Sequence, residues 1–237
     1  VQGYTRRQLK EDKIADSARG AMSWATDHGR GVLFTLIGLL LVVAIVSGFL
    51  AWNSRQTDQA NIALSKAMRT FTAQLRPPGT PANETMQSFT SIAERGREAE
   101  KQFKDVSDKY PYTKPAKLAS YMAGAAAMQA GDNADAEKLL KSAADSRDSD
   151  IAALAKLALA SFYRSTNRQA DAARIYKELA DHPTNTVSKS QAQLALAEMY
   201  EATDPKEAAA IYQQIQKENP NTPAAQIAAS KSGAGAK

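Results

Sequence analysis

From Gly31 to Ser54 the chain carries no charged residue, and residues 32–52, VLFTLIGLLLVVAIVSGFLAW, are apolar on every side. A helix of that length, rising about 1.5 Å per residue, covers roughly 30 Å, the thickness of a bilayer's hydrocarbon core. The apolar core of a signal peptide is shorter, about 7 to 15 residues. Arg30 and Arg55 bracket the run, which opens at Val32 and closes on Trp52, an indole suited to the headgroup region. The run therefore reads as a membrane anchor in contact with lipid. A helix buried in a soluble core would leave the arginine at each end unexplained.

Setting the run and the short stretch before it aside leaves about 180 residues, enough for one domain with a core of its own. We expect a cytoplasmic tail over residues 1–31, a transmembrane helix over 32–53, a repeat domain over 54–230 and a flexible tail over 231–237. Cysteine is absent, which excludes a disulfide framework and thiolate metal sites. The net charge of +5 comes from 30 Lys and Arg interspersed with 25 Asp and Glu, without the basic, aromatic-laced block of a nucleic-acid surface.

In the tail, Leu9, Ile14, Ala18, Ala21, Met22 and Ala25 recur at spacings of three to five. They form the apolar side of a short amphipathic helix, either lying at the headgroups with Trp24 dipping in or simply solvated. Lys13, Arg19 and Arg30 before the span match Arg55, Lys66 and Arg69 after it, so flanking charge alone does not orient the helix. A short basic tail stays inside, whereas a long domain translocates largely regardless of charge, which places the N-terminus in the cytoplasm.

Beyond the span, residues 53–75 continue in helical rhythm until three prolines within residues 77–81 impose a loop. A second helical run is expected from about Met86 to Tyr110. The chain then repeats itself. Ala99, Ala136, Ala172 and Ala208 are 37, 36 and 36 residues apart; Phe103, Leu140, Tyr176 and Tyr212 step identically, as do Val106, Ala143, Leu179 and Ile215. In the preceding helices Gly124, Ala160 and Ala197 align, as do Ala127, Tyr163 and Tyr200. Each unit is a helical hairpin in which small residues let two backbones approach, and a period of this length marks stacked units. Gly131, Asn167 and Asp204-Pro205 supply the turns.

Ala160, Tyr163, Ala172, Tyr176 and Pro183, and again Ala197, Tyr200, Ala208, Tyr212 and Pro220, resemble a tetratricopeptide repeat. Gly124, Gly131, Ala136, Leu140 and Ala143 follow the pattern without its tyrosine and closing proline, and Ala99, Phe103, Val106 and Pro111 match only a second helix. Four units result, the first interrupted by a proline-rich loop at residues 76–85. The fold class is therefore all-α: one transmembrane helix followed by a tetratricopeptide-repeat solenoid. The arrangement as a whole, with Trp52-Asn53-Ser54, Gln56 and Asp58 to Ala60 just after the span, resembles the YfgM-like ancillary subunits of the bacterial Sec translocon. That resemblance implies a bacterial inner-membrane protein with a periplasmic repeat domain that works beside the translocon and periplasmic chaperones.

No catalytic constellation is legible. His28 and His182 are the only histidines and lie far apart in sequence, and there is no phosphate-cradling glycine pattern or nucleophile elbow. We expect no enzyme, cofactor, metal or small-molecule substrate, and as partners the lipid bilayer and other proteins. The first helices of such hairpins offer a groove, whose candidate residues by spacing are Tyr121, Met128 and Gln129, then Leu157, Ser161 and Arg164, then Leu194, Glu198 and Glu201. Arg164, Glu198 and Glu201 have no evident partner within their own hairpins. Two other arrangements remain open. The span could pack into a larger membrane complex through Ala44 and Gly48, or the repeats could present substrate to an envelope or cytochrome-maturation enzyme system.

Overall fold

The computed structural model describes residues 29–77, 79–80 and 87–234. The expected amphipathic helix of the tail lies outside the described residues. The chain divides after Ser54 into two compact units.

In the first unit the described chain is helical throughout, as the opening part of helix α1 (Gly29–Phe71). It is long and apolar enough to cross a membrane, and its large side chains are exposed, Phe34 by 71% and Ile45 by 70%. That surface is unfavourable in water and suited to lipid.

In the second unit α1 ends at Phe71, four residues before the expected stop at Leu75. The reason is a pairing that the sequence did not announce: Gln74–Leu75 (β1) runs parallel to Ser88–Phe89 (β2). Arg76 extends the contact, its backbone N–H donating to the Phe89 carbonyl at 2.8 Å and its guanidinium to the Ser88 carbonyl. Helix α2 (Ile92–Lys109) starts later than the expected Met86, because Ser91 caps it by accepting from the Glu94 N–H at 3.0 Å.

Three hairpins and a last helix follow: α3 (Lys114–Ala130) with α4 (Asn133–Ala144), α5 (Ser149–Ser165) with α6 (Gln169–Asp181), α7 (Lys189–Tyr200) with α8 (Pro205–Glu218), then α9 (Pro223–Ala234). The later part of α1 and α2 form the first hairpin, locked by an edge-to-face contact of Phe71 and Phe103, 5.9 Å between ring centres. Helices α3, α4, α5, α7 and α8 begin at Thr113, Asp132, Asp148, Ser188 and Asp204, whose side chains each accept a backbone N–H of the first turn. Gly131 and Asn167, at φ 76° and 61°, turn the chain between helices of the second and third hairpins.

The alanine column Ala99, Ala136, Ala172 and Ala208 is buried throughout, and so are Phe103, Leu140, Tyr176 and Tyr212. Fully burying such large side chains stabilises by about 1.5–3 kcal/mol each. The small residues are required by distance. A Cβ on Gly124 would sit 2.7 Å from Leu140 Cγ, and one on Gly96 2.5 Å from the backbone nitrogen of Ala130.

Polar braces tie the later helices together. Glu137 on α4 accepts from the Tyr163 hydroxyl at 2.9 Å and pairs with Arg168 at 2.9 Å and Lys141 at 2.7 Å. The Arg168 guanidinium also stacks on the Tyr163 ring, 3.9 Å from its centre. Hydrogen bonds from Lys141 and Arg168 hold the Glu137 carboxyl well below its usual range, at about 2. Asp150 on α5 accepts from the backbone N–H of Asn185 at 3.1 Å, fastening the loop between α6 and α7.

The last helix went unanticipated. Thr222 followed by Pro223 is a helix-start signal, and the Thr222 hydroxyl accepts from the Ala225 N–H at 3.2 Å. Helix α9 reaches Ala234, inside the stretch 231–237 expected as a tail.

Candidate functional site

The first helices of successive hairpins, α1, α3, α5 and α7, together with α9, line two pockets along one face of the repeat unit. One, of about 380 Å3, is walled by Leu157 of α5, Leu194 and Ala195 of α7, and Ala224 and Ile227 of α9, with Ser190, Gln191 and Glu198 at its rim. The other, of about 510 Å3, lies between Asn61 and Leu64 of α1, Lys114 and Leu118 of α3, and Asp148 and Ile151 of α5. A larger pocket of about 610 Å3 opens between α1 and α2, lined by Lys66, Asp105, Asp108, Lys109 and Tyr110 around Ala63 and Val106. It contains none of the expected groove residues.

Helical spacing explains the first pocket. Leu194 and Glu198 are one turn apart on α7, so the apolar wall and the carboxylate lie on one face. Leu157 and Leu194 are partly buried against the main core while still lining the pocket, and Ile227 remains 44% exposed. An apolar floor with a few polar groups at the rim is what a protein partner's side chain needs for capture.

The other expected residues fall in different places. Tyr121 is half-buried and touches both core clusters, and its hydroxyl is pushed up by burial, so the ring is packing between hairpins. Met128 packs on the main core. Gln129 accepts from the Arg95 guanidinium at 3.2 Å, in a contact where Arg95 also donates to the Ala73 carbonyl at 2.8 Å. Ser161 is partly buried on α5, and Arg164 is exposed. Neither the Arg164 nor the Glu198 side chain has a hydrogen bond or ion pair among the described residues.

Glu201 corrects the expectation of an unpaired charge. It accepts from the Tyr212 hydroxyl at 2.8 Å and pairs with Lys231 of α9 at 3.2 Å. The tyrosine lies within its own hairpin and the lysine 30 residues on, and these bonds hold the Glu201 carboxyl below its usual range. Of the residues expected to anchor the chain, Arg30, Trp52 and Arg55 are exposed on α1, and Trp52 lies 6.0 Å from the Phe49 ring. Val32 is in the same helix, its side chain outside what is described. Sequence spacing missed Ile227 and Ala224 because α9 was not foreseen, although Thr222-Pro223 marked its start.

No curated protein and no solved structure matches the chain. The tetratricopeptide repeat-like domain family matches residues 22–173, more than half of the sequence, from before the apolar run into the third hairpin. Hairpins in register, buried alanine columns, left-handed turns and this match agree: the chain belongs to the tetratricopeptide repeat-like domain family.

Proposed function

We propose that this protein is a membrane-anchored scaffold that holds other polypeptides in the groove of its first helices and has no catalysis of its own. The observation behind this reading is the pocket at Leu157, Leu194 and Ile227, a partly exposed apolar floor contributed by α5, α7 and α9. Repeat arrays expose such faces for binding, and a repeat-like domain is in general a protein-interaction module. On this reading the N-terminus lies in the cytoplasm and the repeats in the periplasm of a bacterial inner membrane. The resemblance to ancillary subunits of the Sec translocon supports the translocon and periplasmic chaperones as partners.

A photo-crosslinking amino acid at Ile227 and, separately, at Ala44 tests this in intact cells. Crosslinks from Ile227 to translocon subunits or chaperones are expected. Crosslinks from Ala44 alone would assign binding to the span, as in a structural subunit of a larger membrane complex. Protease added to spheroplasts should digest the repeat domain and spare the segment before Arg30; the reverse pattern overturns the orientation.

A further inference from the structure

The second helices carry one more column, and it breaks in the first hairpin. Gln102 on α2, Leu139 on α4, Ile175 on α6 and Ile211 on α8 are 37, 36 and 36 residues apart, the period of the alanine column. Ile175 and Ile211 are buried, and Leu139 packs against both core clusters. Gln102 is half-buried instead and lines the pocket of about 610 Å3 between α1 and α2. A position that the stack covers in three hairpins is thus open in the first, which has no hairpin before it among the described residues. The Gln102 amide is satisfied at home, its Nε2 donating to Glu98 at 2.8 Å and its oxygen accepting from the Thr70 hydroxyl at 2.9 Å. The open position is therefore stable without a partner.

The rim of this pocket carries charges that do not cancel within the hairpin. Lys66 of α1 and Asp105 and Asp108 of α2 line it, and none of the three has an ion pair among the described residues. Lys109, the fourth charge, lies over the Tyr110 ring, 5.4 Å from its centre. The free cation thus stands on α1 and the free acids on α2. Ala63 and Val106 lie between them. Ile62, four residues before Lys66 and so on the same side of α1, is 71% exposed. An apolar knob beside an apolar hollow, and a cation facing acids, make a surface that complements itself after half a turn.

We infer that this face binds a second copy of the same chain about a two-fold axis, with α1 of one copy lying along α2 of the other. Lys66 of each copy then meets Asp105 and Asp108 of the other, so the same contact forms twice. Ile62 of each copy enters the hollow at Ala63 and Val106 of the other. A contact that uses one patch on both copies closes at two. Gln102 and the charged rim make this a wet, separable interface, unlike the buried positions of Ile175 and Ile211. The pocket shares no residue with the two groove pockets, so pairing leaves both open and does not depend on the groove reading.

The test uses the full chain in detergent, with the mass of the protein measured by sedimentation across a range of concentrations. Wild type should form a dimer that dissociates as salt is raised. Lys66→Asp and Asp105→Lys should each weaken that dimer about tenfold or more, because each sets like charges against one another at both contacts. An equimolar mixture of the two variants should restore it, since a mixed pair has opposite charges at both contacts. Ile62→Ser should weaken the dimer as well. All three side chains are exposed, so the melting temperature of each variant should match wild type and is measured alongside. A wild type that stays monomeric at every concentration overturns the inference, and so does a mixture that fails to recover. A dimer that survives both charge reversals but is lost in Gly48→Leu belongs to the apolar run, which also overturns it. If wild type is monomeric and a photo-crosslinking amino acid at Ile62 captures a different protein in cells, the face serves that protein and the second copy is excluded.

Discussion

The contact between α2 and α3 and the contact between α4 and the α5–α6 hairpin do the same job by opposite means. At the first, Gly96 lets the backbone of α2 rest against Ala126, Gln129 and Ala130, with no side chain between. At the second, Glu137, Tyr163, Arg168 and Lys141 form a hydrogen-bonded, ion-paired cluster. The lesson is that a repeat array can be joined by the absence of volume or by polar bracing. The two should fail differently, the first under added atoms and the second under protonation.

The largest expected effect is therefore Gly96→Ala. Its new methyl meets backbone atoms at 2.5 and 2.8 Å, which cannot move without shifting a helix. We expect a loss of about 3 kcal/mol in the full chain in detergent, read by thermal or urea unfolding, even though alanine favours a helix interior by about 1 kcal/mol. Gly124→Ala should cost less, about 1–2 kcal/mol, because the nearest atoms there belong to the Leu140 side chain, with its backbone nitrogen at 3.1 Å. Equal melting temperatures for the two variants would remove the distinction between a backbone and a side-chain contact.

Next in size is Glu137→Gln, at about 1 kcal/mol near pH 7 because the cluster is partly solvated. The Glu137 carboxyl lies at about 2 in the folded protein, below its unfolded value of about 4.3, so its contribution is complete above that unfolded value. It is lost as pH falls from there toward 2. The difference in unfolding free energy between wild type and Glu137→Gln should accordingly shrink from pH 6 to pH 3, while that of Gly96→Ala stays constant. A Glu137→Gln difference that does not change with pH would mean that the cluster is ornamental. The smallest effect belongs to Asp150→Ala, within about 0.5 kcal/mol globally. Its signature is faster amide exchange at Asn185, whose N–H donates to that carboxylate.

The same contrast explains what the sequence made legible. The alanine column and the turns at Gly131 and Asn167 recur at a fixed period, and a periodic requirement leaves a periodic trace. Gly96 left none. Its counterparts in later hairpins, Asn133, Gln169 and Pro205, are helix starts, whereas α2 begins a turn earlier, at Ile92, and crosses α3 there. Pairing between helices is equally invisible along a line: nothing in residues 198–201 says that Glu201 meets Tyr212 and Lys231 while Glu198 meets neither. Leu157, Leu194 and Glu198 could be placed in the groove because one helix face puts them there. Tyr121 and Gln129 could not be separated from that face by spacing, since their side chains turn to neighbouring helices for reasons of packing. The β1–β2 pair joins segments separated by prolines, and a two-residue strand is too short to leave a pattern.

Helix α9 has one more effect. A stack of hairpins presents a fresh template at each end, so two molecules could add end to end and grow into a fibre without limit. Ala225 and Ala228 of α9 are buried, and Gln226, Ser230 and Lys231 are exposed, with Lys231 already committed to Glu201. Growth from that surface would have to break an ion pair and desolvate an amide and a hydroxyl. That surface therefore disfavours end-to-end addition at α9.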